Sequence, residues 1–177
     1  MIERNKEGAK DLLEILEKQE ELLIFDSFTN EDALKLGNIL AEVTKNTPKP
    51  LSMRVFLGDV IVFQYTMEGD SEFRFGWTYR KYQLIKETGH SSMHGKVREM
   101  ILGELEELYE KRDVYGFGCG GFPIVVKGQG LIGAVAVSGL PDPADHVYVV
   151  EALEKMLGVE VPKLPNEIDE NFMRRTK

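Results

Sequence analysis

The chain is poor in cysteine, poor in histidine and short of positive charge. Its one cysteine, Cys119, excludes an intramolecular disulfide framework. No apolar run approaches the roughly 20 residues of a membrane-spanning helix, and no charged-then-apolar leader opens the chain, so the expected location is the cytoplasm. Lysine and arginine number 22 against 30 aspartates and glutamates, a formal net charge of −8. That deficit argues against a nucleic-acid binder, whose phosphate contacts need clustered cations, and against docking on acidic membranes. Catalytic signatures are missing as well. The chain has no Ser-His-Asp order, no paired-carboxylate motif and no HExxH, and His90 and His94, one helical turn apart, are weak grounds for zinc, so no metal is expected.

What the chain has is enough to fold. A hydrophobic content of 42% over 177 residues can bury a core, and we expect one domain over residues 1–158 followed by a tail, 159–177. That tail carries Pro162 and Pro165 and no strong period, which suits a mobile segment or one docked on a partner subunit.

Ala9, Leu12, Leu13 and Leu16 recur at helical spacing within Lys6–Glu21. Thr29 to Asp32 resembles a capping box, and Ala33, Leu36, Gly37, Leu40 and Val43 form the apolar face of a second helix ending before Pro48. Gly37 on that face permits close approach to a sheet. Leu51–Leu57 and Val60–Thr66 flank Gly58-Asp59 and read as a hairpin. Phe73–Glu87 reads as a helix stopped by Gly89, and a further helix runs from a His90-Ser91-Ser92 cap to about Lys111.

Phe122–Lys127 and Leu131–Ser138, separated by Gly128-Gln129-Gly130, predict a second hairpin. The last helix is expected to take Asp142 as N-cap, Pro143 as first residue and Asp145 in its first turn, and to end at Gly158. Two hairpins with helices between them predict an α/β (α+β) fold with a mainly antiparallel sheet rather than a doubly wound parallel one. Gly116, Gly118, Gly120 and Gly121 precede a strand, whereas dinucleotide-binding glycines follow one, so this run is weak ground for phosphate binding.

Several landmarks occur together in order. They are Phe28 to Ala33, Arg80-Lys81, Gly89 to Ser92, Gly120 to Ile124, Gly133, Val137 to Pro141, and Asp145-His146. As a set they resemble the haem-degrading-domain proteins, also called the haem-binding-protein or GlcG-like family, in its small cytosolic branch. The resemblance covers roughly Leu22 to Leu157. It implies a profilin-like fold with a central antiparallel sheet of about five strands covered by helices. It also implies a homo-oligomer, a dimer or larger, and haem as a possible cofactor. Cys119 departs from the Gly, Ala or Ser usual in relatives, and residues 93 to 115 diverge.

Under that resemblance the ligand is haem or another planar, carboxylate-bearing molecule. Arg80 or Lys81 would pair with its carboxylate; as helix neighbours, one is expected to face inward and the other solvent. His90, beside Ser91 at a helix start, and His146 are the axial or proton-transferring groups, and Phe122 offers an apolar contact. Asp145 with His146 forms the one acid–base pair worth naming as catalytic. Each has a plainer reading: His90 and Ser91 as a cap, Asp145 as a first-turn carboxylate, His146 as packing, Cys119 as a small buried group. The alternative function is a non-enzymatic oligomeric interaction module. On Leu131–Ser138 the small face, Ala134 and Ala136, suits contact with a helix or a second subunit.

Overall fold

The structure, a computed structural model, describes residues 3–166 and 168, and their side chains except those of 72–75. The expected tail lies outside the described residues beyond that point.

Helix α1, Lys6–Leu22, starts at Asn5, whose side chain accepts the Gly8 N–H, and buries Ala9, Leu12 and Leu16. Helix α2, Asn30–Thr44, begins with the predicted capping box, Thr29 and Asp32 exchanging bonds. Four strands follow in two hairpins: β1 Ser52–Leu57 with β2 Val60–Thr66, and β3 Gly121–Val126 with β4 Gly130–Ser138. They form one antiparallel sheet in the order β2-β1-β4-β3. Among the described residues the expected sheet of about five strands has four. A fifth segment is reduced to one parallel bridge, Phe25 to Val126, beside β3.

Helices α2 and α6 (Ala144–Leu157) cover one face over a core that includes Leu36, Leu40, Val55, Ile124 and Leu153. Gly37 of α2 lies against the Phe63 ring, where a Cβ would come within 2.4 Å, so this helix can sit low on the sheet. Helix α3, Glu72–Thr88, covers the other face and places Tyr82 and Ile85 against Phe56, Ala134 and Ala136. The small face of β4 is thus a helix contact.

The single helix expected through Lys111 is broken. Helix α4 is Ser92–Val97, a π-helical turn occupies Arg98–Leu102, and α5 is Glu106–Glu110. Gly103, at φ 67°, ends the turn in the left-handed conformation, which a regular helix cannot pass through. Helix α6 also starts one residue later than its sequence suggests. Asp142 does not cap it: its carboxylate accepts the Cys119 N–H at 2.8 Å and pairs with Lys96. Gly158, at φ 67°, closes α6 as expected. No described helix is long and apolar enough to cross a membrane.

Candidate functional site

Histidine occurs three times, and α1 grips all three rings with three side chains from its last two turns. His90 Nδ1–H donates to Glu20 at 2.7 Å, and the Ser91 N–H donates to the other Glu20 oxygen at 2.7 Å. The His90 ring and the Ser91 N–H at this helix start thus hold a carboxylate of the chain's own, Glu20. Burial pushes the Glu20 carboxyl upward, and the bonds from His90 and Ser91 outweigh it and hold the group below its usual range. The same hydrogen bond raises the His90 pKa against the effect of burial.

His94 stacks on His90 with ring centroids 4.0 Å apart, and its Nε2 faces Glu17 at 3.2 Å. Burial, then the neighbouring His90, lower its pKa. Ser91 caps α4 in the ordinary way, its hydroxyl accepting the His94 N–H at 3.3 Å.

His146 is 1% exposed, and its Nε2 lies 2.8 Å from Gln19 Oε1. Gln19 spends its N–H on the Pro162 carbonyl at 2.7 Å, so its oxygen faces the ring and His146 must donate from Nε2. The remaining nitrogen, Nδ1, is then a bare acceptor, buried and without a partner among the described residues. Burial lowers the His146 pKa to about 4, so the ring stays neutral.

Lys81 and Asp145 meet each other inside the protein. Lys81 Nζ donates to the Val137 carbonyl at 2.6 Å and faces Asp145 Oδ2 at 3.4 Å. Asp145 also accepts the Gly139 and Leu140 N–H groups, at 3.2 and 3.0 Å. Burial still raises its pKa, with Lys81 and those bonds opposing.

The glycine run wraps this pair. A Cβ on Gly116, Gly118, Gly120 or Gly121 would come within 2.9 to 3.3 Å of a Lys81 atom. On Gly120, at φ 109°, it would also sit 2.6 Å from Asp145 Cβ and from the Val137 carbonyl oxygen. These glycines let the backbone sheathe a buried lysine.

Arg80 turns away from its neighbour. Its guanidinium donates to the Arg112 carbonyl and lies 4.1 Å from the Trp77 ring. Phe122 is buried in the core with its ring 6.0 Å from that of His146. The structure thus groups His90 with Ser91, Lys81 with Asp145, and Phe122 with His146, and leaves Arg80 apart. Sequence reasoning missed Glu17, Gln19 and Glu20, which look like the solvated side of an amphipathic helix. Cys119 is fully buried, its thiol pushed well up by burial. Among the described residues no group of three or more His, Cys, Asp or Glu side chains is placed to hold a metal ion.

The family model described as haem degrading protein HbpS-like matches residues 28–154. The chain belongs to the HbpS-like haem-degrading family. The matched span contains all three histidines of this HbpS-like protein, whereas α1, which grips them, precedes it. A UPF0303 protein of Streptomyces coelicolor is 35% identical over 145 residues, covering 81% of this chain and 92% of the relative. Among solved structures, the Ybr137w protein superposes with a TM-score of 0.77 at 24% identity, covering 86% of this chain and 94% of the other. A PduOC:heme complex superposes with a TM-score of 0.61 at 12% identity, covering 77% and 99%. At such identities the two structures speak to the fold alone.

Proposed function

We propose that this HbpS-like protein binds haem through His90 and works as a self-associating protein of the cytoplasm. The observation that carries the reading is the His90–Glu20 pair. A neutral imidazole has one N–H and one lone pair. Glu20 takes the N–H at Nδ1, which leaves the Nε2 lone pair without a partner among the described residues, on a side chain 38% exposed. A histidine oriented by a carboxylate through its other nitrogen is the arrangement that metal-binding imidazoles use.

The donor chemistry at His90 therefore fits a haem iron. His146 does not fit that role, because its ring is sealed and its Nε2–H is committed to Gln19. Haem, when bound, supplies the iron for oxygen and electron chemistry. The chain's own part is to hold His90 in one tautomer and to keep the ring stacked on His94. Because the Glu20 bond raises the His90 pKa, acidification protonates Nε2 and weakens binding.

Self-association is supported by β2, an edge strand without charge or proline whose Val60, Ile61 and Tyr65 are 62%, 42% and 45% exposed. The single, buried thiol suits a reducing compartment.

A second reading, a non-enzymatic interaction module, is favoured by one observation. Lys81, Asp145, His146 and Phe122 are all buried, which suits residues that maintain the fold. Haem titration followed by absorption, beside mass measurement in solution, separates the two: an oligomer whose added haem keeps the free-haem spectrum supports the module.

A further inference from the structure

Neither cation expected to meet a ligand carboxylate is placed to do so: Lys81 is sealed against Asp145, and Arg80 turns to the Arg112 carbonyl and Trp77. A third cation, Arg98, is. His94 is stacked on His90 with the ring planes 13° apart, and Arg98 follows His94 by one helical turn, on the same face. Lys96, the other cation of α4, is paired with Asp142. We propose that Arg98 holds a carboxylate at the rim of the planar ligand whose centre His90 binds, a role that rests on His90 as the haem ligand.

Direction and orientation both support this role. An axial imidazole stands upright on a haem, so the macrocycle spreads along the normal to the imidazole ring. For His90 one side of that normal is the stacking direction, which runs over His94 and on toward Arg98. His94 and Arg98 are separated by about 6 Å of helix rise, within reach of an arginine side chain extended toward the rim. The Arg98 charge is felt at His90, where it opposes the rise in pKa led by the Glu20 bond. Arg98 is also held in place. Its Nε–H donates to Glu104 at 2.8 Å, and the Glu104 N–H returns to the Arg98 carbonyl at 3.3 Å. Gly103, in the left-handed conformation, turns the chain back for that contact. The terminal NH2 groups of Arg98 have no partner among the described residues, on a side chain 30% exposed. They form the fork that fits a carboxylate bidentately. The carboxylates nearby are committed: Glu20 to His90 and Ser91, Glu17 to His94, and Glu104 to Arg98 itself.

The test titrates the full chain with haem and with haem dimethyl ester, whose carboxylates are blocked. The absorption band reports affinity and axial ligation separately. Wild type is expected to bind haem about fivefold to tenfold more tightly than the ester. Arg98→Gln is expected to lose that preference while keeping the wild-type band position with both compounds. Lys45→Gln, which removes an exposed cation at the end of α2, is expected to keep the preference. Equal affinity of wild type for haem and ester, or an Arg98→Gln variant that keeps the preference, overturns the Arg98 contact and leaves His90 as the ligand. A wild-type band unshifted by either compound overturns both.

Discussion

Gln19 in the first helix receives a 2.8 Å hydrogen bond from the buried ring of His146, a residue 127 positions further along the chain. That bond fixes the histidine tautomer, and Gln19, bonded also to the Pro162 carbonyl, ties α1 both to α6 and to the segment that follows it.

Its thermodynamic signature is a pH dependence. Burial lowers the His146 pKa from 6.5 to about 4, so on acidification the unfolded chain takes the proton first. The stability this group contributes is present above about pH 6.5 and is lost as the pH falls through about 4. The loss is on the order of 3 kcal/mol. His90 acts in the opposite sense. Its raised pKa gives stability that is whole below the ordinary value of 6.5 and fades as pH rises through the folded value. Urea unfolding from pH 4 to 8 is expected to show the acid loss in wild type and a flatter acid limb in His146→Phe; identical limbs contradict it.

Lys81 and Asp145 form a buried ion pair, and such pairs punish single deletions. Lys81→Met leaves Asp145 charged and uncompensated, and is expected to cost about 3 to 5 kcal/mol in chemical denaturation. Adding Asp145→Asn to Lys81→Met removes that charge while its one amide oxygen keeps an acceptor for the Leu140 N–H. The double variant is expected to recover at least about 2 kcal/mol. A double variant no more stable than Lys81→Met argues against the pairing.

Gly120 and Gly128 both have positive φ, at 109° and 77°, but only Gly120 is crowded. At Gly120 a Cβ meets backbone and Asp145 at 2.6 Å, whereas at Gly128 nothing lies within 4 Å. Gly120→Ala is expected to lose more than about 3 kcal/mol, and Gly128→Ala about 1 kcal/mol from backbone strain. Comparable losses in thermal melts of the two variants would show that the sheath around Lys81 is looser than described.

The exposed edge of β2 predicts assembly. Ile61→Lys with Tyr65→Lys places charges on that edge and is expected to shift the mass in solution toward monomer without lowering stability. A wild-type protein that is monomeric at high concentration removes β2 from the account.

Much of this architecture is legible in the sequence because it is local. Alternation and glycine spacing mark both hairpins, and the Thr29–Asp32 cap announces α2. The Arg80-Lys81 step, one residue inward and one outward, follows from helix geometry alone. The break after Val97 is less visible, because Met100, Ile101, Leu105 and Leu108 keep a helical period across it. Asp142 reads as a cap because it precedes a proline and a helix, yet a partner far away in sequence, Lys96, draws its carboxylate elsewhere.

The histidine contacts lie furthest from what sequence shows. Glu17, Gln19 and Glu20 resemble any solvated helix face, and their meaning depends on pairs 70 to 127 positions away. The tautomer of His146, and hence its free acceptor, follows only once Gln19 and Pro162 are seen together.

The central claim is that His90, oriented by Glu20, is the haem ligand, and a haem titration followed by absorption tests it most directly. Wild type is expected to shift the haem absorption band saturably, Glu20→Gln to weaken binding, and His146→Phe to leave the spectrum unchanged. His90→Ala is expected to return the spectrum of free haem. A wild-type spectrum identical to free haem, or a His90→Ala spectrum identical to wild type, contradicts the account.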